Sequence, residues 1–378
     1  MKKVTYILVV ILLLLSLLIS SCVAENSSAQ KDSESKTIIN DKQEISEFAD
    51  LRQGLLMMQG KSLRDMDLSN KYEVLLTATF DTHTQWPPKD KLPEKFNPQQ
   101  IIEIGKDPGL QIRDLHKQGF TGKGVKVAII DQPLLLGHEE YKDRLEKYTT
   151  IDCEGVDPHM HGTAIASLLV GKSCGVAPNA SLYYWAEPTW KQDYKQRTLA
   201  LEQIIEYNKD KPLSERIRVV SVSIGYIDSF DNLSSWKAKI KEAEANGIIV
   251  VHCSHEEDKD FCGIGCDLYK DRNNPENYNI CYFVGNNPYL KFLKLLYVPI
   301  DNRTTADFQG ENDYTFWSKG GLSWGAPYLA GVIALGLQAN PNVEEEDIYK
   351  YLKETGTSFN GGYIINPKAF IQKIKEMN

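Results

Sequence analysis

The chain has 378 residues and a formal net charge of −8 at pH 7, spread without long acidic blocks. Its 42% hydrophobic and 25% charged residues are ordinary for a globular protein. The acidic balance argues against a nucleic-acid partner, which calls for a basic face.

The N-terminus reads as an export signal. Lys2 and Lys3 give a positive start, Ile7 to Ile19 is a nearly unbroken apolar run, and Ser20, Ser21 and Cys22 come next. A charged start, a short apolar core and small residues are the pattern of a cleaved signal. The run is shorter than the ~20 apolar residues that a spanning helix needs. Ile19-Ser20-Ser21-Cys22 resembles the lipobox of bacterial lipoproteins. The resemblance implies that residues 1–21 are removed as a signal peptide and that Cys22 is lipidated. The chain would then be lipid-anchored at the cell membrane, facing the extracytoplasmic side. The alternative is an ordinary cleaved signal with an incidental cysteine.

Residues 22–45 are polar and lack aromatics, which predicts a flexible tether. Residues 46–106 are mixed. Tyr72 to Phe80 alternates as a strand does, and Pro87-Pro88 and Pro93 interrupt any regular element after it. An extension packed on the main domain and a pro-region both fit this stretch.

Residues 107–378 alternate strand and helix patterns. Val125 to Ile130 is a short, almost wholly apolar run, suited to a parallel strand buried on both faces. A helix is predicted from near His161, with Ile165, Leu168 and Leu169 on one face and a stop at Gly175. Strands are predicted at Ser181–Trp185, Val219–Val222, Ile248–Val251 and Tyr282–Val284. Leu201, Ile204 and Ile205 mark one helix between them. Trp236, Ile240 and Ala243 mark another, closed by Asn246-Gly247. Ala330–Leu337 is apolar all round and predicts a buried helix. Repeated β-α-β units predict an α/β fold, a mainly parallel twisted sheet with helices on both faces.

In such sheets, ligand-handling residues gather at the carboxyl ends of the strands. Asp131 ends the first strand directly after Ile130. A carboxylate there is costly unless it is hydrogen-bonded or paired, though a turn aspartate is the plainer reading. Gly122 and Gly124 precede this strand, whereas a dinucleotide-binding loop would come after it. His161-Gly162-Thr163 opens a helix, and Gly162 lets another backbone come close. Gly321-Leu322-Ser323-Trp324-Gly325-Ala326-Pro327 precedes the buried helix, with Pro327 suited to its first turn. Ser323 reads alone as an N-cap, and as a nucleophile only with a base beside it.

Together these segments resemble the subtilisin-like serine peptidases, or subtilases. The matching stretches are Gly122 to Asp131, His161 to Ala166, Gly175 to Ala180, Val219 to Gly225 and the Ser323 motif. The order Asp, His, Ser is also that of subtilisin. The resemblance implies a serine endopeptidase, and no cofactor is expected. Ser323 would attack the scissile carbonyl, His161 would shuttle its proton, and Asp131 would orient the imidazole. Ser223, Ile224 and Gly225 would bind the extended substrate backbone by main-chain hydrogen bonds. The partners implied are a peptide or protein substrate and, through the lipid anchor, the membrane.

The chain also departs from the subtilase pattern. Where subtilases carry a small-residue stretch ending in an oxyanion-hole asparagine, it reads Val251-His252-Cys253-Ser254-His255. The best register puts His255 at the asparagine; Ser254, a shifted loop or no side-chain donor are the other readings. Losing such a donor costs ~10²–10³ in rate in the subtilisin example. Gln132-Pro133 succeeds the aspartate in place of a small residue and glycine, and Leu322 replaces a threonine. His252, Cys253 and Ser254 predict a narrower primary specificity pocket.

These departures leave room for two other functions. One is a catalytically weak or inactive subtilase-like lipoprotein that binds peptides or protein partners. The other is a cysteine peptidase using Cys253. The six cysteines after Cys22 permit up to three disulfides in an exported chain. The His252–Cys266 stretch matches no zinc-ligand spacing, and no metal is predicted.

Overall fold

The computed structural model describes residues 49–50, 55–254, 259–281 and 290–377. Cys22, the signal and tether segments, His255 and the strand predicted at 282–284 lie outside the described residues.

Three short strands, β1 (Ala49–Asp50), β2 (Leu55–Met57) and β3 (Ala78–Asp81), lie in the N-terminal region. A four-residue helix, α1 (Tyr72–Leu75), occupies the first part of the stretch predicted as one strand from Tyr72 to Phe80, and only its end, from Ala78, is in β3. Leu75 is buried and Val74 is exposed there. The helix α2 (Pro98–Gly105) comes next, capped by Asn97, whose side chain accepts from the Gln100 N–H at 3.0 Å. It is succeeded by α3 (Ile112–Lys117).

The central sheet is made by β4 (Lys126–Asp131), β5 (Leu145–Thr150), β6 (Ser181–Ala186), β7 (Ile217–Val222) and β8 (Ile249–His252). Its order is β5-β6-β4-β7-β8, and every neighbouring pair is parallel. The intervening helices are α4 (Met160–Val170), α5 (Lys195–Asn208) and α6 (Leu233–Ala245). The helix at His161 therefore forms as predicted, but it stops at Val170, five residues before Gly175.

Both faces of this sheet are covered. Val127, Ile129, Val219, Ile249 and Val251 point into one core with Ile165, Leu168 and Leu169 of α4. Ala128, Ile130, Val220, Val222 and Val250 point into a second core with Leu201 and Ile204 of α5 and Trp236 and Ile240 of α6. Successive strand residues face opposite ways, so a strand covered on both sides must be apolar at every position. This is the α/β arrangement expected from the sequence.

Beyond β8 come β9 (Phe261–Cys266), β10 (Tyr278–Ile280), β11 (Leu296–Pro299), β12 (Arg303–Ala306) and β13 (Tyr314–Trp317). The helix α7 (Gly325–Ala339) is the predicted apolar one, with its residues from Gly325 to Leu337 buried. The chain closes with α8 (Glu345–Glu354), β14 (Thr357–Phe359), β15 (Gly362–Ile364) and α9 (Pro367–Lys375).

Strands β10-β9-β11-β15-β14 make a second sheet, and β1-β2-β3-β13-β12 a third. In the third sheet β3 pairs antiparallel with β13, Phe80 opposite Phe316. The region before residue 107 thus shares a sheet and a core, built on Phe80, Phe96, Ile101 and Phe316, with the C-terminal half.

Candidate active site

Asp131 is the last residue of β4, and its side chain is 3% exposed. Its Oδ1 accepts from the Gln132 N–H at 2.7 Å and stands 2.7 Å from His161 Nδ1. Those bonds answer the cost of burying a carboxylate. An Nδ1–H aimed at Asp131 fixes the imidazole tautomer and leaves Nε2 free to accept a proton.

His161 is the second residue of α4, and the approach of that helix to β4 is unusually close. A Cβ on Gly162 would stand 2.1 Å from the Gln132 carbonyl oxygen and 2.4 Å from the Tyr184 hydroxyl. No side chain fits there, so glycine is what lets the imidazole reach Asp131. The Trp324 ring meets His161 edge-on, with ring centroids 5.8 Å apart.

Burial of His161 disfavours its charged form, and the Asp131 carboxylate, by charge and hydrogen bond, overrides that effect. The net result is a pKa above the ordinary imidazole value, against a smaller opposing effect from the Arg197 guanidinium.

Ser323 sits in a single 3₁₀ turn, Leu322–Trp324, that runs into α7. Its hydroxyl does not cap the helix. It donates to the Ser223 carbonyl oxygen at 3.1 Å, while the Ser223 hydroxyl donates back to the Ser323 carbonyl oxygen at 2.9 Å. Ser323 Oγ is thus held beside the segment after β7, with its proton on Ser223 rather than on the imidazole. Catalytic hydrogen bonds commonly tighten only when substrate is present.

Ser223, Ile224 and Gly225 continue β7 past its carboxyl end, and all three carbonyls are engaged. Ser223 accepts from Ser323, Ile224 from the Cys253 N–H at 3.0 Å, and Gly225 from the Tyr194 hydroxyl at 2.7 Å. A substrate backbone pairing here would share or displace these bonds. Packing is tight at Gly225, where a Cβ would stand 3.0 Å from the Cys253 carbonyl oxygen.

After β8, the His252 ring lies against Tyr226 with centroids 5.0 Å apart, and the Ser254 hydroxyl accepts from the Tyr226 N–H at 2.6 Å. The Ser254 side chain is therefore engaged with the strand segment, and His255 lies outside the described residues. The Cys253 thiol donates to the Leu322 carbonyl oxygen at 3.7 Å, and burial pushes its pKa well up. A thiol held protonated is a poor nucleophile, which weighs against the cysteine-peptidase reading. None of Cys153, Cys174, Cys253, Cys262, Cys266 and Cys281 is in a disulfide.

Some residues at the site were not found in the sequence. Trp324 comes directly after the serine, and Tyr194 braces Gly225 from a helix start. Glu187 succeeds β6 as Asp131 ends β4, and the same strand-end logic would have found it.

The raised pKa of His161 has a direct kinetic consequence. In the role of general base that the subtilase resemblance implies, His161 must be unprotonated, so any hydrolytic kcat/KM should fall as pH drops, with the acid-limb midpoint above the ~6.5 of a free imidazole. Asp131→Asn removes the raising charge and should move that midpoint down while lowering the rate by roughly 10⁴-fold. A pH–rate profile of both proteins checks it, and an unmoved midpoint in Asp131→Asn contradicts the assignment of the raised pKa to Asp131.

Comparison with known proteins matches residues 122–279 to the Subtilase family of S8 peptidases. That stretch contains Asp131 and His161 and ends before Ser323. The alkaline protease of Alkalihalobacillus alcalophilus is 26% identical over 275 residues, covering 67% of this chain and 66% of that protein. The major intracellular serine protease of Bacillus subtilis is 23% identical over 279 residues, covering 68% of this chain and 82% of the relative. Subtilisin BL of Lederbergia lenta is 26% identical over 275 residues, covering 67% of this chain and 93% of the relative. Among solved structures, one described under subtilase cytotoxin SubAB assembly aligns with a TM-score of 0.49 at 15% identity, over 74% of this chain and 97% of that one. The family match and the curated relatives support a subtilisin-like serine peptidase.

Proposed function

We propose that the protein is a serine endopeptidase that hydrolyses peptide bonds with Asp131, His161 and Ser323, exported and held at the membrane by lipid on Cys22. The observation that carries the catalytic reading is the 2.7 Å contact between His161 Nδ1 and the buried Asp131 carboxylate. It leaves Nε2 poised as a base on the side of the molecule where Ser323 opens α7. In that reading Ser323 Oγ attacks the carbonyl carbon and His161 takes its proton, then gives it to the leaving amine. A substrate N–H donating to the Ser223 carbonyl would compete with the Ser323 hydroxyl for that oxygen. Substrate binding would thereby release the nucleophile towards the imidazole.

A fluorophosphonate probe should label Ser323, and both labelling and peptide cleavage should vanish in Ser323→Ala and fall by several orders of magnitude in His161→Ala. Tight peptide binding without labelling or turnover would instead establish the alternative, a subtilase-like protein that binds peptides without cutting them. That alternative is favoured by one observation, the Ser323 hydroxyl resting on Ser223.

The primary specificity pocket is proposed to be narrow, because His252 stacks on Tyr226 and Cys253 lies against Gly225. Cleavage of a peptide library should favour small residues before the scissile bond; a preference for large aromatic residues contradicts this. For the anchor, labelling with a palmitate analogue should mark the protein in cells and be lost in Cys22→Ala. Unchanged labelling in that variant would remove the lipobox reading.

A further inference from the structure

A buried ion pair stands behind the site and takes no part in the chemistry described above. Glu187 is 0% exposed and Arg197 2%, and the guanidinium Nη2 donates to the Glu187 carboxylate. The pair is tied to two catalytic elements at once. The Glu187 N–H donates to the Asp131 carbonyl oxygen at 2.8 Å, so the loop after β6 is stitched to the end of β4. On its other side the Arg197 guanidinium lies over the Tyr194 ring, 5.3 Å from its centroid. The Tyr194 hydroxyl in turn donates to the Gly225 carbonyl oxygen at 2.7 Å and accepts from the Ile227 N–H at 2.9 Å. One connected path therefore runs from the strand end carrying the carboxylate to the segment beside the nucleophile.

Stability alone does not account for this arrangement. Buried ion pairs are commonly no better than apolar residues of the same volume unless every polar atom is satisfied. Here Glu187 Oε2 and Arg197 Nε and Nη1 are buried without a hydrogen-bond partner among the described residues. Desolvation pushes the Glu187 pKa up and the Arg197 charge pulls it back, with Asp131 and Asp193 adding to the rise. The charges that act on His161 are Asp131 from β4 and Arg197 from α5, the first favouring the imidazolium and the second opposing it.

We propose that Glu187 and Arg197 are a positioning pair, which holds the Asp131 end of β4 and, through Tyr194, the Ser223–Gly225 segment in register with each other. Neither residue touches the reacting atoms. The inference rests on the peptidase reading for its kinetic part alone.

The test uses the full chain and two kinds of readout. The titration of His161 is followed by NMR on histidine-labelled protein, with His161→Gln giving the assignment; this needs no turnover. Arg197→Met removes the opposing positive charge, so the His161 midpoint should move to higher pH, and Arg197→Lys should restore most of it. Tyr194→Phe cuts the link to Gly225 without altering the charges. With the hydroxyl's bonds to the Gly225 carbonyl and the Ile227 N–H both lost, it should raise KM for an extended peptide at least tenfold and leave the His161 midpoint in place. Glu187→Leu/Arg197→Met keeps the site filled and apolar. It should fold with an unchanged melting temperature or a higher one, yet lose roughly ten- to a hundredfold in kcat/KM. A folded Arg197→Met with an unmoved midpoint, or a folded double variant with full kcat/KM, overturns the proposal. A protein that titrates as expected but never cleaves peptide sinks the peptidase reading and leaves the effect of Arg197 on His161 standing.

Discussion

The hydrogen bond from His161 to Asp131 is the contact around which the site is arranged. It joins the end of a buried strand to the start of a helix, two places that polar side chains reach without breaking a core. The carboxylate is nearly sealed from water, so it must be satisfied by protein, and the imidazole and the Gln132 N–H do so. In return, the buried charge holds the imidazole in one tautomer and raises its pKa. The same contact demands that α4 approach β4 closely, which Gly162 allows and no other residue would.

Around that contact the parallel sheet supplies the frame. Strands β4 and β7 are neighbours and end on the same edge, so Asp131 and the Ser223–Gly225 segment emerge side by side. Ser323 arrives from a distant part of the chain because α7 packs into the core on one face of the sheet. The reciprocal hydrogen bonds between Ser223 and Ser323 then fix that docking at its end. This design makes the hydroxyl's resting partner a carbonyl that an extended peptide would also use.

The buried Glu187–Arg197 pair extends the frame away from the reacting atoms. Its geometry explains how loops after β6 and β7, which share no ladder with one another, stay in register at the cleft. It also places a positive charge where it opposes the effect of Asp131 on the imidazole.

Much of this was legible in the order of the residues. Strands such as Val127–Ile130 show themselves because burial on both faces favours an unbroken apolar run. Gly162 signals a close approach because only glycine lacks a Cβ. Asp131, His161 and Ser323 were each ambiguous alone, and their order and flanking motifs are what picked them out. Other features required the tertiary structure. Tyr72 to Phe80 alternates like a strand, yet its start is a helical turn, because Tyr72, Leu75 and Leu76 meet the core at helical spacing while Val74 faces out. For residues 46–106 an extension packed on the main domain and a pro-region were both open, because the pairing of β3 with β13 joins distant parts of the chain and leaves no local trace. The destination of the Ser323 proton and the engagement of the Gly225 carbonyl by Tyr194 were equally invisible, since spacing along a chain carries no information about distances across a cleft. The sequence by itself determined the layers of the fold and the chemistry of the three candidate residues, because periodicity and residue type are local properties. Only the tertiary structure decided which polar groups meet, because those partners are chosen by packing.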